Sequence, residues 1–201
     1  MPRPFACLAL LSLAAFLLAA VSVHALRPEL DWVHSQMSVY LVGPWGWLLQ
    51  SAYAALAAGM LALGVGLYRG LPVEARSAAP LLLFALGAPA LVVTALAPMR
   101  FPHEDPRLVH LVHGIAAQTT FLCATTGMVL QALRLRLDPA WRPIARGALA
   151  WALLCFAGVW LLAFWRDLPR GLAQKGLIAM IVAWLAVVAG WALGRGARRE
   201  E

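Results

Sequence analysis

Two histidines, His110 and His113, lie three positions apart in an apolar stretch, and a carboxylate, Asp105, precedes them. Residues three apart on a helix project from the same side, about one to two turns below its start. Imidazole titrates near neutrality and a carboxylate fixes its tautomer, so this trio suits general acid–base catalysis. The same residues are candidate ligands for a divalent metal, with one position left for water. The structural alternative is a pair of neutral imidazoles bonded to loop backbone or to Asp105.

A second polar group lies in the connection from Leu26 to Pro44. His34 is a candidate base there, and Ser38 is a candidate nucleophile that would need a base beside it. The simpler interpretation is that the stretch WVHSQMSVYLV forms a short helix, either re-entrant or lying at the membrane interface, with these residues as caps.

Four polar residues surround the start of the last apolar run, and they are candidate ligands for an anionic lipid headgroup. They are Arg166, Arg170, Gln174 and Lys175. The alternative for Lys175 is that its side chain reaches the aqueous interface without binding anything.

Long apolar segments must position these residues. Of 201 residues, 63% are hydrophobic and 12% are charged, which is too apolar for a soluble domain. A helix needs about 20 apolar residues to cross a bilayer. We predict an all-α bundle of six transmembrane helices in three hairpins, forming one membrane domain over residues 1–201. The predicted helices are 5–26, 46–68, 78–98, 108–133, 148–165 and 172–193.

The first apolar run permits a second interpretation, because it ends in Val23-His24-Ala25, which resembles a signal-peptidase site. We favour a retained helix, since the run is long enough to span. The three cysteines, Cys7, Cys123 and Cys155, lie in apolar runs and show no metal-site spacing, so free thiols are expected.

The charge distribution predicts the orientation. The net charge of +7 is the excess of 16 basic over nine acidic residues. In a membrane protein such a charge reflects topology and lipid headgroups rather than nucleic acid. Ten of the 16 lie in the even-numbered connections and the termini, against six in the other connections. We therefore expect cytoplasmic termini in a multi-pass protein of the bacterial cytoplasmic (inner) membrane.

In this topology the ionisable residues gather on the outer, periplasmic face. All five histidines lie there, together with five of the nine carboxylates, so a shared cleft is expected. The histidines are His24, His34, His103, His110 and His113, and the carboxylates are Glu29, Asp31, Glu104, Asp105 and Asp167.

Several short motifs point to a known family. They are Ser38-Val39-Tyr40 and Gly43-Pro44-Trp45-Gly46-Trp47-Leu48 before the second helix, Phe101-Pro102-His103-Glu104-Asp105 after the third, His110 in the fourth and Gly171-Leu172-Ala173-Gln174-Lys175 opening the sixth. With these motifs the chain resembles the DUF998 family, six-helix membrane proteins similar in plan to Frag1/DRAM/Sfk1 proteins. The resemblance implies the six-helix plan and a set of outer-face motifs that includes Asp105, His110, Gln174 and Lys175.

Three function hypotheses follow. The first is an enzyme that acts on a lipid or isoprenoid-like substrate by acid–base or metal-assisted chemistry at the outer face. The second is a non-catalytic module that binds or senses a membrane lipid or hydrophobic small molecule. The third is haem ligation by His24 with His110 or His113. Transport is disfavoured, because the inner halves of the helices lack charge.

Overall fold

A computed structural model gives the backbone of residues 1–100 and 106–197, and this part of the chain contains no strand. Six helices are long and apolar enough to cross a membrane, which confirms the all-α, six-helix prediction, and the chain is a multi-pass membrane protein. The helices are α1 (Arg3–Leu26), α2 (Gly46–Gly70), α3 (Ala78–Arg100), α4 (Pro106–Leu135), α5 (Arg142–Phe164) and α6 (Arg170–Ala197).

The helices form a closed ring. Each helix packs against the next one along the chain, and α6 also packs against α1. In lipid the hydrophobic effect does not drive helices together, so their association depends on close packing, and small residues allow the helix backbones to approach each other. At Gly59 of α2, a Cβ atom would lie 2.7 Å from the Cβ of Ser12 in α1. Between α5 and α6, Nε1 of the buried Trp184 donates a hydrogen bond to the carbonyl of Ala148 at 2.8 Å.

The two ends of the ring differ in what they carry. One end, called the loop end here, holds the connections after α1, α3 and α5, and the other, the terminus end, holds both chain termini. The predicted outer-face residues that the structure describes belong to the loop end. Asp105, His103 and Glu104 lie outside the described residues.

Helix α5 begins at Arg142 rather than at the predicted position 148. Arg142 and Arg146 suggested a loop, but Pro143 lies in the first turn of the helix. Backbone amides in the first turn have no acceptor within the helix, so the missing N–H of proline costs no hydrogen bond there. The preceding turn is ordered by Asp138, whose Oδ1 accepts a hydrogen bond from the amide of Ala140 at 3.0 Å. The helix therefore extends beyond the apolar run.

The first connection enters the ring instead of lying on the membrane surface. Only Met37–Leu41 is helical in it, as one short 3-10 helix. Met37, Tyr40 and Leu41 are buried, because apolar residues three and four apart turn one side of the segment towards the bundle. Of the two predicted alternatives for WVHSQMSVYLV, the buried segment agrees with the re-entrant one and not with a helix on the surface, and the helix is limited to Met37–Leu41.

Candidate functional site

A cavity of about 80 Å³ lies inside the ring and extends inwards from the loop end. Its walls come from α1, α2, α3, α4, α6 and the 3-10 helix, and they are mostly apolar. We call it the central cavity. The polar residues among those that line it are Ser38, Tyr53, Thr94, His113, Thr120 and Gln174.

His113 is the most unusual of these polar residues. Its ring lies against the backbone of Thr94, while its Nδ1 atom is buried and has no hydrogen-bond partner among the described residues. The hydroxyls of Thr94 and Thr120 are satisfied locally, since they donate to the carbonyls of Ala90 and Ala116, each at 2.9 Å. A buried polar atom without a partner requires an explanation, and a bound molecule is one.

His110 lies on a different surface from His113. It is exposed and lines a shallow depression on the outside of α4, together with Leu111, Gly114 and Ile115. The two histidines therefore line separate pockets, although they are three residues apart. Among the described residues, no group of three or more His, Cys, Asp or Glu side chains is placed to hold a metal ion.

His34 and Ser38 are also separated. The side chain of His34 is 73% exposed, and its Nδ1 donates a hydrogen bond to Oδ2 of Asp31 at 2.5 Å. This bond, together with one from the amide of Val33, lowers the pKa of Asp31 below its ordinary value. Ser38 lines the central cavity instead. His34 is therefore an exposed loop residue, whereas Ser38 shares a pocket with His113.

Gln174 and Lys175 bind the backbone of the first connection. Oε1 of Gln174 accepts a hydrogen bond from the amide of Met37 at 2.9 Å, and Nζ of Lys175 donates one to the carbonyl of Trp32 at 2.8 Å. The amide of Leu172 adds a third, to the carbonyl of Val33 at 2.8 Å. The start of α6 thus fixes the first connection over the loop end of the central cavity.

The predicted anion ligands do not share one pocket. Arg166 lines an open depression at the end of α5 with Trp160 and Trp165, while Arg170 is exposed at the first position of α6. Of the four candidates, Gln174 lines the central cavity and Lys175 lines a separate groove between α1 and α6.

His24 lines a different pocket from the two candidate haem partners in the part of the chain that the structure describes. It lines the groove between α1 and α6, and its ring packs against Tyr40 with centroids 4.4 Å apart and an interplanar angle of 34°. Its Nδ1 donates a hydrogen bond to the carbonyl of Ala20 at 2.5 Å. His110 and His113 line two other pockets.

Several residues of the site were not predicted from the sequence. Tyr53, Thr94 and Thr120 line the central cavity without having been singled out. Arg27 was missed too: its side chain is mostly buried, pairs with Glu29 and donates to the carbonyls of Val42 and Pro44. Polar residues within membrane spans usually face the bundle interior, and that signal would have found the first three.

Residues 10–191 match the family model described as "Protein of unknown function (DUF998)". No curated protein and no solved structure matches the chain.

Proposed function

The chain belongs to the DUF998 family, and from its geometry we propose that the central cavity binds the head and the adjoining chain end of an uncharged lipid or isoprenoid-like molecule, because about 80 Å³ holds only part of such a molecule. The observation that carries the proposal is the cavity itself, which is apolar for most of its depth and has polar groups concentrated towards the loop end. Ligand pockets commonly combine mainly apolar walls with a few polar groups that fix orientation.

The polar groups indicate what kind of head the ligand carries. The described residues that line the cavity offer hydroxyl, amide and imidazole groups, and none of them is a carboxylate, lysine or arginine. Burying a charged headgroup without a partner charge would be costly. An alcohol, ester or ketone head fits better, with the buried Nδ1 of His113 as a hydrogen-bonding partner.

We also propose that the loop end faces away from the cytoplasm of a bacterial inner membrane. The terminus end and its two turns carry Arg3, Arg69, Arg76, Arg134 and Arg136, and basic residues concentrate on the cytoplasmic side. The ligand would then enter from the outer leaflet.

Filling the cavity tests the proposal. Ala117 lines the cavity on α4, so Ala117→Phe is expected to reduce labelling by a long-chain alcohol carrying a photoreactive diazirine to background, because the new ring occupies the site. Labelled peptides are identified by mass spectrometry. In the wild type, the label is expected on α2, α4 and α6.

The matched control is Ala150→Phe, because Ala150 is exposed on α5 and does not line the cavity. This variant should be labelled like the wild type. Equal labelling of the Ala117→Phe protein would contradict the proposal.

A catalytic role is the second candidate function, and one observation favours it: Ser38 and His113 line the same cavity. A serine with a histidine as general base suits acyl transfer from an ester-bearing lipid. His113→Gln and Ser38→Ala are then each expected to slow ester cleavage about 100-fold or more while alcohol labelling persists. Product release followed by mass spectrometry measures this, and a wild-type protein that cleaves no diacylglycerol ester would remove this candidate.

A further inference from the structure

A groove of about 470 Å³ runs along the outer surface of the ring between α1 and α6, beneath the first connection. Leu17 and Val21 of α1 form one wall, with exposed fractions of 44% and 70%, and Ile178 and Ala179 of α6 form the other. In a bilayer this surface faces lipid. The groove follows α1 from Phe16 to His24, about 12 Å of helix, so it offers an apolar surface to the part of an acyl chain that adjoins the headgroup.

One cation stands at the loop end of the groove. Lys175 is the charged side chain among the described residues that line it, and His24 lies at the same end. The ammonium is held in place, since Nζ donates to the carbonyl of Trp32 and lies 4.9 Å from the centroid of the Tyr40 ring. An ammonium has three N–H donors, so donors remain for a ligand.

The carboxylate of Asp31 interacts electrostatically with Lys175. Asp31 is not among the residues that line the groove. Asp31 lies in the first connection and accepts hydrogen bonds from His34 and from the amide of Val33. The lining residues thus combine a positive end with apolar walls and contain no carboxylate among those described.

We propose that the groove binds one acidic phospholipid, with its phosphate at Lys175 and an acyl chain along α1 and α6. A cation near the membrane surface attracts anionic lipid, and a charged N–H···O bond to phosphate is stronger than a neutral one. A water-soluble anion would leave the apolar walls unused. The site is independent of the ligand proposed for the central cavity, although Phe16 and Ile178 line both pockets.

Lipid retention in detergent tests the site. The protein is incubated with equal amounts of phosphatidylglycerol and phosphatidylcholine, and bound lipid is counted by native mass spectrometry. The wild type is expected to retain about one phosphatidylglycerol per chain. Lys175→Gln should weaken retention about tenfold, which corresponds to one charged contact, and Lys175→Arg should restore most of it.

A second variant avoids disturbing the ammonium. Ala179→Trp fills the groove from an exposed position of α6 and should lower retention as much as Lys175→Gln. Two controls match these changes: Arg166→Gln removes one charge outside the groove, and Ala150→Trp adds an indole to the exposed face of α5. Both should retain the lipid.

Two results would overturn the proposal. One is undiminished retention by Ala179→Trp, and the other is an equal loss in Lys175→Gln and Arg166→Gln, which would show general attraction to the loop end. Ala117→Phe, which fills the central cavity, should retain phosphatidylglycerol. A failure of the cavity proposal therefore remains distinguishable from a failure of this one.

Discussion

Gly171→Ala is expected to lower the melting temperature of the protein by roughly 5–10 °C, the shift that corresponds to about 2–3 kcal/mol in a chain of this size. Gly171 is buried at the start of α6, against the backbone of the first connection. A Cβ atom there would lie 2.5 Å from the carbonyl oxygen of Ser35 and 2.7 Å from that of Val33. These are backbone atoms, so no side-chain rotation relieves the clash.

The displacement would also break hydrogen bonds that depend on this approach. The amide of Leu172 donates to the carbonyl of Val33, and Gln174 accepts from the amide of Met37. Each bond contributes about 1 kcal/mol. Because the first connection carries Ser38 into the central cavity, labelling by the alcohol probe should fall together with the melting temperature.

The control lies on the same helix. Gly176 is exposed, and a Cβ atom there would meet nothing within 4 Å. Gly176→Ala should leave the melting temperature unchanged or raise it slightly, because alanine favours the helix by up to about 1 kcal/mol. Thermal unfolding in detergent, followed by tryptophan fluorescence, measures both variants. Equal melting temperatures for the two would show that the first connection moves aside freely.

The six helices were predictable because long apolar runs alternate with charged turns, and that pattern depends on composition alone. The start of α5 was predicted six residues too far along the chain, at 148 instead of Arg142, because the prediction relied on composition. Arg142, Pro143 and Arg146 have the composition of a loop, yet the helix includes them. Proline fits the first turn, and the arginines lie on exposed positions.

The site was less predictable, because sequence spacing does not tell which side of a helix faces the ring interior. His110 and His113 were expected to act together, but a helix in the wall of a ring places neighbours on its inner and outer surfaces. His113 lines the central cavity, whereas His110 faces outwards. Their separation of about 60° around the helix axis is enough to divide them.

Contacts between residues distant in the chain were the other missing information. Gln174 and Lys175 were expected to bind a ligand, and the structure shows both side chains bonded to the first connection, at Met37 and Trp32. Neither bond follows from any local pattern. The groove could not be predicted for the same reason, because its walls come from α1 and α6, which are the first and last helices of the chain.

Arg134→Gln is expected to destabilise the terminus end by about 3 kcal/mol, the loss associated with breaking several hydrogen bonds to a charged donor. The guanidinium lies against the turn between α2 and α3. Nε donates to the carbonyl of Ala75 at 3.0 Å, and one terminal nitrogen donates to those of Glu74 at 2.6 Å and Arg76 at 3.2 Å. Glutamine is too short to reach all three acceptors.

Two further substitutions distinguish the contribution of the hydrogen-bond geometry of Arg134 from that of its positive charge. Arg134→Lys keeps the charge but lacks the planar fork of donors, so it should recover only part of the stability. Arg136→Gln removes a charge from an exposed side chain two residues away and should change the melting temperature by about 1 °C or less. Hydrogen exchange of the amides in residues 71–77 should rise most in Arg134→Gln, less in Arg134→Lys and not in Arg136→Gln. Similar exchange in all three variants would mean that water satisfies the carbonyls of this turn as well as Arg134 does.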